Sequence, residues 1–309
     1  MLVSVALAVV AAACGPRPRT EPVLPRQAKS GEAVERLIKE SGADVAVAFR
    51  TLDGPAGSPA RLELLIQPDV EFHAASTMKV PVMIELFRQV RAGQARLDEP
   101  LLVKNEFASI VDGSPYTLNT GDDSDAEIYK RVGQTMTLLE LCEPMITVSS
   151  NFATNLLIQR LGAASIQRTV ESLGASGMRV RRGVEDSKAF AQGLNNSTTA
   201  RALMILMQRI ARLEAVDAEA SRTMIAILKR QHFNDAIPAG LPPGTPVAHK
   251  TGEITKIHHD AAVVLAPRPF VLVVLVRGIE DQKQSAALIA RIAKVLYDEA
   301  EAAPLAPAR

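Results

Sequence analysis

The segments of this chain that read as β-strands lie only near its two ends. Residues 44–51 alternate apolar and polar well enough for a strand, and 61–66 form a short second one. Three more follow much later, at 247–251, 261–266 and 270–277, with the proline-bracketed turn 267–269 between the last two. Everything between reads as helix or loop. Helical patterns cover 33–41, a strongly apolar run opening at Ser76 and stopping at Gly93, then 136–145, 151–161, 198–213 and 218–229, and a closing amphipathic stretch at 281–301. The terminal pieces together supply one sheet, and the middle supplies a helical lobe. The expected fold is therefore α+β: a five-stranded antiparallel sheet flanked by helices, plus an all-helical lobe inserted between its strands. The lobes are not separate domains in sequence, because the sheet needs both ends of the chain. A cleft between them is the natural place for a site.

Composition removes several function classes. Lys and Arg number 35 against 34 Asp and Glu, so the chain lacks the basic footprint of a nucleic-acid binder. It has no Trp and only 4% aromatic residues, too few for base-stacking platforms. With Cys14 and Cys142 alone there is no disulfide framework and no Cys-x-x-Cys zinc motif. Cys142 lies among Leu138, Leu139, Leu141 and Met145 and reads as core.

Residues 2–13 form an apolar and small-residue run too short to span a bilayer. It reads as the core of an export signal, residues 1–14, although no Lys or Arg precedes it. The run ends Ala-Ala-Ala-Cys-Gly, which resembles a bacterial lipoprotein signal and marks Cys14 for lipidation. Residues 15–32 carry four prolines and read as an extended linker, which leaves 33–303 as the folded domain. The expected setting is periplasmic or lipid-anchored at the cell envelope.

Four local patterns bear on chemistry. In Ser76-Thr77-Met78-Lys79 the spacing of three puts Ser76 and Lys79 on one helical face. A serine hydroxyl needs a base, and a lysine can serve once burial or a second cation lowers its pKa. A helix start also offers backbone N–H groups to an anion. Ser149-Ser150-Asn151 supplies a second hydroxyl to relay a proton and an amide to hold substrate, though such a serine often only caps a helix. In Lys250-Thr251-Gly252 a strand offers a cation, a hydroxyl and a residue that permits close approach. Glu185 stands in a loop beside Arg181 and Arg182, where a plain surface ion pair is the alternative.

Each pattern is weak alone, but their order is telling. Ser-x-x-Lys, then Ser-x-Asn, then Lys-Thr-Gly resembles the signature of penicillin-recognising serine enzymes, and the chain resembles the class A serine β-lactamase family over about 31–300. The spacing from Ser76 to Ser149 exceeds the family's by roughly a dozen residues, which the Ser/Asp/Gly-rich loop 105–125 accounts for. The resemblance implies a β-lactamase/transpeptidase-like fold and a hydrolase that opens β-lactam rings through an acyl-serine. Ser76 is then the nucleophile, Lys79 and Glu185 share the base role through a water, and Ser149 passes the proton to the leaving nitrogen. Asn151 holds the acylamide, and Lys250 and Thr251 meet the substrate carboxylate beside Gly252. The N–H groups of Ser76 and Glu253 form the oxyanion hole, and Asn155 braces Glu185. The implied partner is a small molecule, a β-lactam or peptidoglycan-related amide, bound by a monomer with no cofactor, metal or nucleic acid.

Three positions depart from the family pattern. Ser150 stands for the usual Asp, so a structural carboxylate is missing. Ala189 stands four residues after Glu185, where the family has an Asn that also holds the hydrolytic water. Glu253 sets a carboxylate where a small residue is usual, positioned to repel a penicillin's carboxylate. These favour acyl transfer over fast hydrolysis and keep open a penicillin-binding, DD-peptidase-like or other amidase role, or a binder that does not turn over. Ser76 lacks the Gly-x-Ser-x-Gly setting of an α/β-hydrolase. His258 and His259 are adjacent in a strand and so point to opposite faces, which disfavours a shared metal. Asp122, Asp123, Asp125 and Glu127 read as a solvated loop without EF-hand spacing.

Overall fold

A computed structural model describes residues 26–27, 29–52 and 62–302. The export signal with Cys14 lies outside them. In chain order the elements are β1 (Arg26–Gln27), α1 (Gly31–Ser41), β2 (Asp44–Thr51), β3 (Leu62–Ile66) and β4 (Phe72–His73). The helical lobe follows: α2 (Lys79–Arg91), β5 (Pro100–Leu102), β6 (Phe107–Ala108), β7 (Pro115–Tyr116), β8 (Thr135–Thr137), α3 (Leu138–Thr147) and α4 (Asn151–Leu161). It continues through α5 (Ala163–Ser172), α6 (Ser187–Ala191), β9 (Ser197–Thr198), α7 (Ala200–Ala211) and α8 (Ala218–Leu228). The chain returns to the sheet with β10 (Val247–Ile254), β11 (Ile257–Val264) and β12 (Phe270–Arg277), and closes with α9 (Gln282–Ala302).

The sheet runs β1-β3-β2-β12-β11-β10, so the two ends of the chain meet where β12 pairs with β2, from Phe270 opposite Thr51 to Arg277 opposite Asp44. The five long strands are antiparallel, as expected. The addition is β1, which pairs parallel with β3 from inside the stretch read as linker, and α1 begins at Gly31, two residues before the expected boundary. Ser30 and Lys29 donate to Glu299 of α9, which fixes this entry to the closing helix.

β12 is apolar at nearly every position because both faces of the sheet are covered. Leu272, Val274 and Val276 pack with Ile289, Ile292 and Leu296 of α9. Val271, Val273 and Leu275, one residue out of phase, pack with the helical lobe. This is the period-two alternation of a strand, read by two cores rather than by core and solvent. β10 is the edge strand, and it borders the helical lobe at the turn that carries Ser76.

Candidate active site

Ser76 sits in a single 3-10 turn, Ala75–Met78, which leads into α2 at Lys79 rather than opening the α-helix itself. The turn is held from both sides. Ala74 N–H donates to Asn196 O, and Ala75 N–H donates to His73 Nδ1 at 3.0 Å. Ala75 itself has φ +45°, a left-handed conformation that costs a non-glycine residue of order 1–3 kcal/mol. Ser76 is half-buried, and among the described residues its hydroxyl has no hydrogen-bond partner.

Lys79 is fully buried. Its Nζ donates to Ser149 O at 2.5 Å, Asn151 Oδ1 at 2.8 Å and Ser149 Oγ at 3.1 Å. Burial, and then the charge of Lys250, hold its pKa well below the ordinary lysine range, against the carboxylates of Asp123 and Glu185. Lys250 is also buried; its Nζ donates to Ser149 Oγ at 3.1 Å and to Thr251 O at 2.9 Å. Burial lowers its pKa to about 7. One hydroxyl, Ser149 Oγ, thus lies between two buried amines, a position suited to relaying a proton.

Ser149 has φ +62° just past the C-terminus of α3, where a helix usually places glycine. A serine kept at a glycine position points to a requirement for its hydroxyl. The next residue, Ser150, caps α4 by accepting from Ala153 N–H at 3.3 Å. The capping alternative is therefore true of Ser150, while Ser149 faces the lysines.

On β10, Lys250, Thr251 and Gly252 are buried and Glu253 is exposed. A Cβ on Gly252 would stand 3.1 Å from both Ser76 N and Thr77 N, so glycine is what lets the strand edge approach the serine turn. Ser76 N–H, a donor at this junction of turn and strand, points at no acceptor among the described residues.

Glu185 completes the ring. Its Oε1 accepts from Asn151 Nδ2 at 3.3 Å, so Asn151 bridges Lys79 and Glu185 through its two amide atoms. Partial burial, and then the nearby Asp122, raise the Glu185 pKa above the ordinary range. The ion-pair alternative does not hold: Arg182 donates to Leu194 O, Gly183 O and Asn195 Oδ1 instead. Glu185 also has φ +60°. Asn155 braces it through its neighbour, accepting from Val184 N–H at 2.6 Å and donating to Val184 O at 3.0 Å. Gly183 fits because a Cβ there would fall 2.5 Å from Asn155 Oδ1. Ala189, buried in α6, offers no polar side chain.

Two groups at the site had not been singled out from sequence. Asp123, read as solvated, accepts from the N–H groups of Asn151 and Phe152 at 3.0 and 2.8 Å, at the N-terminus of α4. Asp186, beside Glu185, is buried and accepts from Ser109 Oγ and Ile110 N–H, tying the loop 105–125 to the Glu185 loop. Nothing in the spacing marks Asp123, and the one local mark of Asp186 is its cap on α6, where it accepts from Ala189 N–H at 3.1 Å. His258 and His259 do diverge: His258 Nδ1 meets Ser285 of α9, while His259 Nε2 donates to His73 O on the opposite face. Cys142 is buried in the helical core.

A model of the β-lactamase enzyme family matches residues 29–300. A β-lactamase from Bacillus licheniformis is 32% identical over 54% of this chain and 57% of its own length, and one from Streptomyces albus G is 32% identical over 53% and 54%. The chain thus spans little more than half the length of these relatives. Among solved structures, a mutant of PBP-A in an acyl-enzyme complex with penicillin G is 26% identical with a TM-score of 0.75, covering 90% of this chain and 99% of that one. An ancestral class A β-lactamase is 26% identical with a TM-score of 0.73, covering 87% and 99%. With nearly the whole described chain matched, the protein belongs to the β-lactamase enzyme family.

Proposed function

We propose that this family member is a serine hydrolase of the class A type, which opens β-lactam rings through a covalent acyl-serine. The observation that carries the reading is the single hydroxyl of Ser149 held between Lys79 and Lys250. In the proposed cycle Lys79, whose pKa is held down by burial and by the charge of Lys250, together with Glu185 acting through water, takes the Ser76 proton. Ser76 Oγ attacks the ring carbonyl, and the carbonyl oxygen takes up negative charge facing the N–H groups of Ser76 and Glu253. The ring C–N bond breaks, and the nitrogen receives a proton through Ser149. Lys250 and Thr251 hold the substrate carboxylate, and Asn151 holds the acylamide. Glu185 then deprotonates a water that hydrolyses the ester, which regenerates Ser76.

The roles of Lys79 and Asn151 follow from their contacts. Asn151 already joins the two bases, so an acylamide entering there trades its place in that bridge. Ala189 gives the attacking water no second amide to hold it, and Glu253 sets a negative charge at the mouth. The proposed enzyme is therefore quick to acylate and slow to release. The setting is the cell envelope, with Cys14 as the lipid attachment; the apolar run 2–13 motivates this, and equal solubility of wild type and Cys14→Ala on fractionation overturns it.

Intact-protein mass spectrometry with penicillin over time tests the whole reading. A penicillin-sized adduct should form and then decay as product accumulates. An adduct that never decays makes the protein a penicillin-binding acceptor; no adduct at all removes the β-lactam reading.

A further inference from the structure

The loop 105–125, which the family resemblance reads as an insertion between Ser76 and Ser149, brings its last residues to the Ser149 turn. Ser124 Oγ donates to Val148 O at 2.5 Å, just before Ser149. Asp123 accepts from Asn151 N–H and Phe152 N–H, just after it. Tyr129, whose ring packs on Phe152, donates its hydroxyl to Asp123 Oδ2 at 3.1 Å and fixes that carboxylate. The left-handed Ser149 is therefore gripped on both sides by two neighbouring residues of the loop. At 150, inside the grip, the chain has a buried serine that reaches only Ala153.

We propose that Asp123 is a positioning residue: the inserted loop delivers to the N-terminus of α4 the carboxylate that position 150 lacks, and so holds Ser149 and Asn151 against Lys79. This rests on the catalytic reading above. The placement has a physical logic. A carboxylate is stabilised where the first N–H groups of a helix are unpaired, and those two N–H groups belong to Asn151, which contacts Lys79, and to its neighbour. A loop insertion that satisfies them from outside frees position 150 to be small and neutral. The charged groups that bear on Lys79 are then Lys250 from β10, Glu185 from its loop and Asp123 from the insertion. Of these, Asp123 can be neutralised without touching a group assigned to substrate or to proton transfer.

Acylation by a fluorescent penicillin, followed by rapid quench over about pH 5 to 10, separates position from charge in Asp123→Ala, Asp123→Asn and Asp123→Ala/Ser150→Asp. Asp123→Ala should acylate roughly 10- to 100-fold more slowly, the scale of an ångström-level misplacement. Asp123→Asn keeps an acceptor oxygen and should retain most of the rate. Its acid limb should move to lower pH, because the lost negative charge had favoured the ammonium form of Lys79. Ser150→Asp should restore much of what Asp123→Ala lost, an outcome that general destabilisation of the loop does not produce. The proposal is overturned if Asp123→Ala acylates at the wild-type rate, if the Asp123→Asn limb does not move, or if Ser150→Asp gives no recovery. If the wild type itself takes no label, the β-lactam reading fails instead. The Asp123 assignment is then decided by ¹³C NMR titration of the Lys79 side chain, whose midpoint must fall in Asp123→Asn.

Discussion

The two banks of the cleft are built differently. On one, Ser76, Lys79, Ser149 and Lys250 stand on a helical turn, a helix junction and a strand. The two lysines are fully buried and donate into fixed oxygens. On the other, Glu185 is exposed on a loop, in a left-handed conformation, and apart from one hydrogen bond from Asn151 Nδ2 it is held at second hand. Asn155 grips Val184, Tyr116 donates to Val184 O, and Asn196 Oδ1 accepts from the N–H groups of Arg181 and Arg182. Groups on regular elements are placed more accurately than groups on loops. On the proposed roles, the contrast teaches that the acylating half is pre-organised by the fold, while the deacylating half depends on a few side-chain clamps that a single substitution can release.

The largest effect should come from the rigid bank. Ser76→Ala removes the nucleophile, and penicillin labelling should vanish altogether; any label surviving at the cleft would place the nucleophile elsewhere and dissolve the comparison. Next is the loop bank. Glu185→Gln should still acylate, then accumulate acyl-enzyme as deacylation falls by ~10²–10⁴-fold, the usual worth of a general base. Equal turnover by Glu185→Gln and wild type would show that another group activates the water. A smaller effect isolates the clamp. Asn155→Ala leaves Glu185 in place but frees Val184, and should slow deacylation by ~10–100-fold while acylation holds. Single-turnover kinetics separate the two steps; a parallel loss in both would mean that Asn155 supports the whole cleft and that the banks are not independent.

The same contrast governs what the sequence made legible. The sheet could be read because strand signals are local, alternation in β2 and an unbroken apolar, β-branched run in β12, while the meeting of β2 with β12 followed from a sheet that needs both ends of the chain. The grouping of Ser76, Lys79, Ser149 and Lys250 was suggested by short motifs that are weak alone and whose order resembles the signature of penicillin-recognising serine enzymes. Asp123 was not, since its backbone partners lie 28 and 29 residues away along the chain; of Asp186 only the cap on α6 is local, and its capture of Ser109, 77 residues away, is not. The parallel β1 was hidden for a similar reason: two residues in a proline-rich stretch carry no periodicity, and only the exposed edge of β3 pairs them.

The finest test concerns how the rigid bank is charged. Lys250 titrates near 7 in the folded protein because its ammonium is buried, and near 10.4 when unfolded. Below about 7 both states carry the proton, and the full cost of burying the cation is present. Between about 7 and 10.4 only the unfolded state binds it, so the Lys250 contribution to stability rises with pH across that window. Lys250→Gln removes the titrating group. The melting temperature of wild type relative to Lys250→Gln should therefore climb by several degrees from about pH 7 to about pH 10, at ~2–4 °C per kcal/mol for a domain of this size. Kinetics give a second sign. With the neighbouring charge gone, the pKa of Lys79 rises, and the acid limb of acylation should move to higher pH, opposite to the shift expected of Asp123→Asn. A melting difference that does not change with pH would mean that burial does not hold the Lys250 pKa down, and an unmoved acid limb that the charge of Lys250 does not reach Lys79.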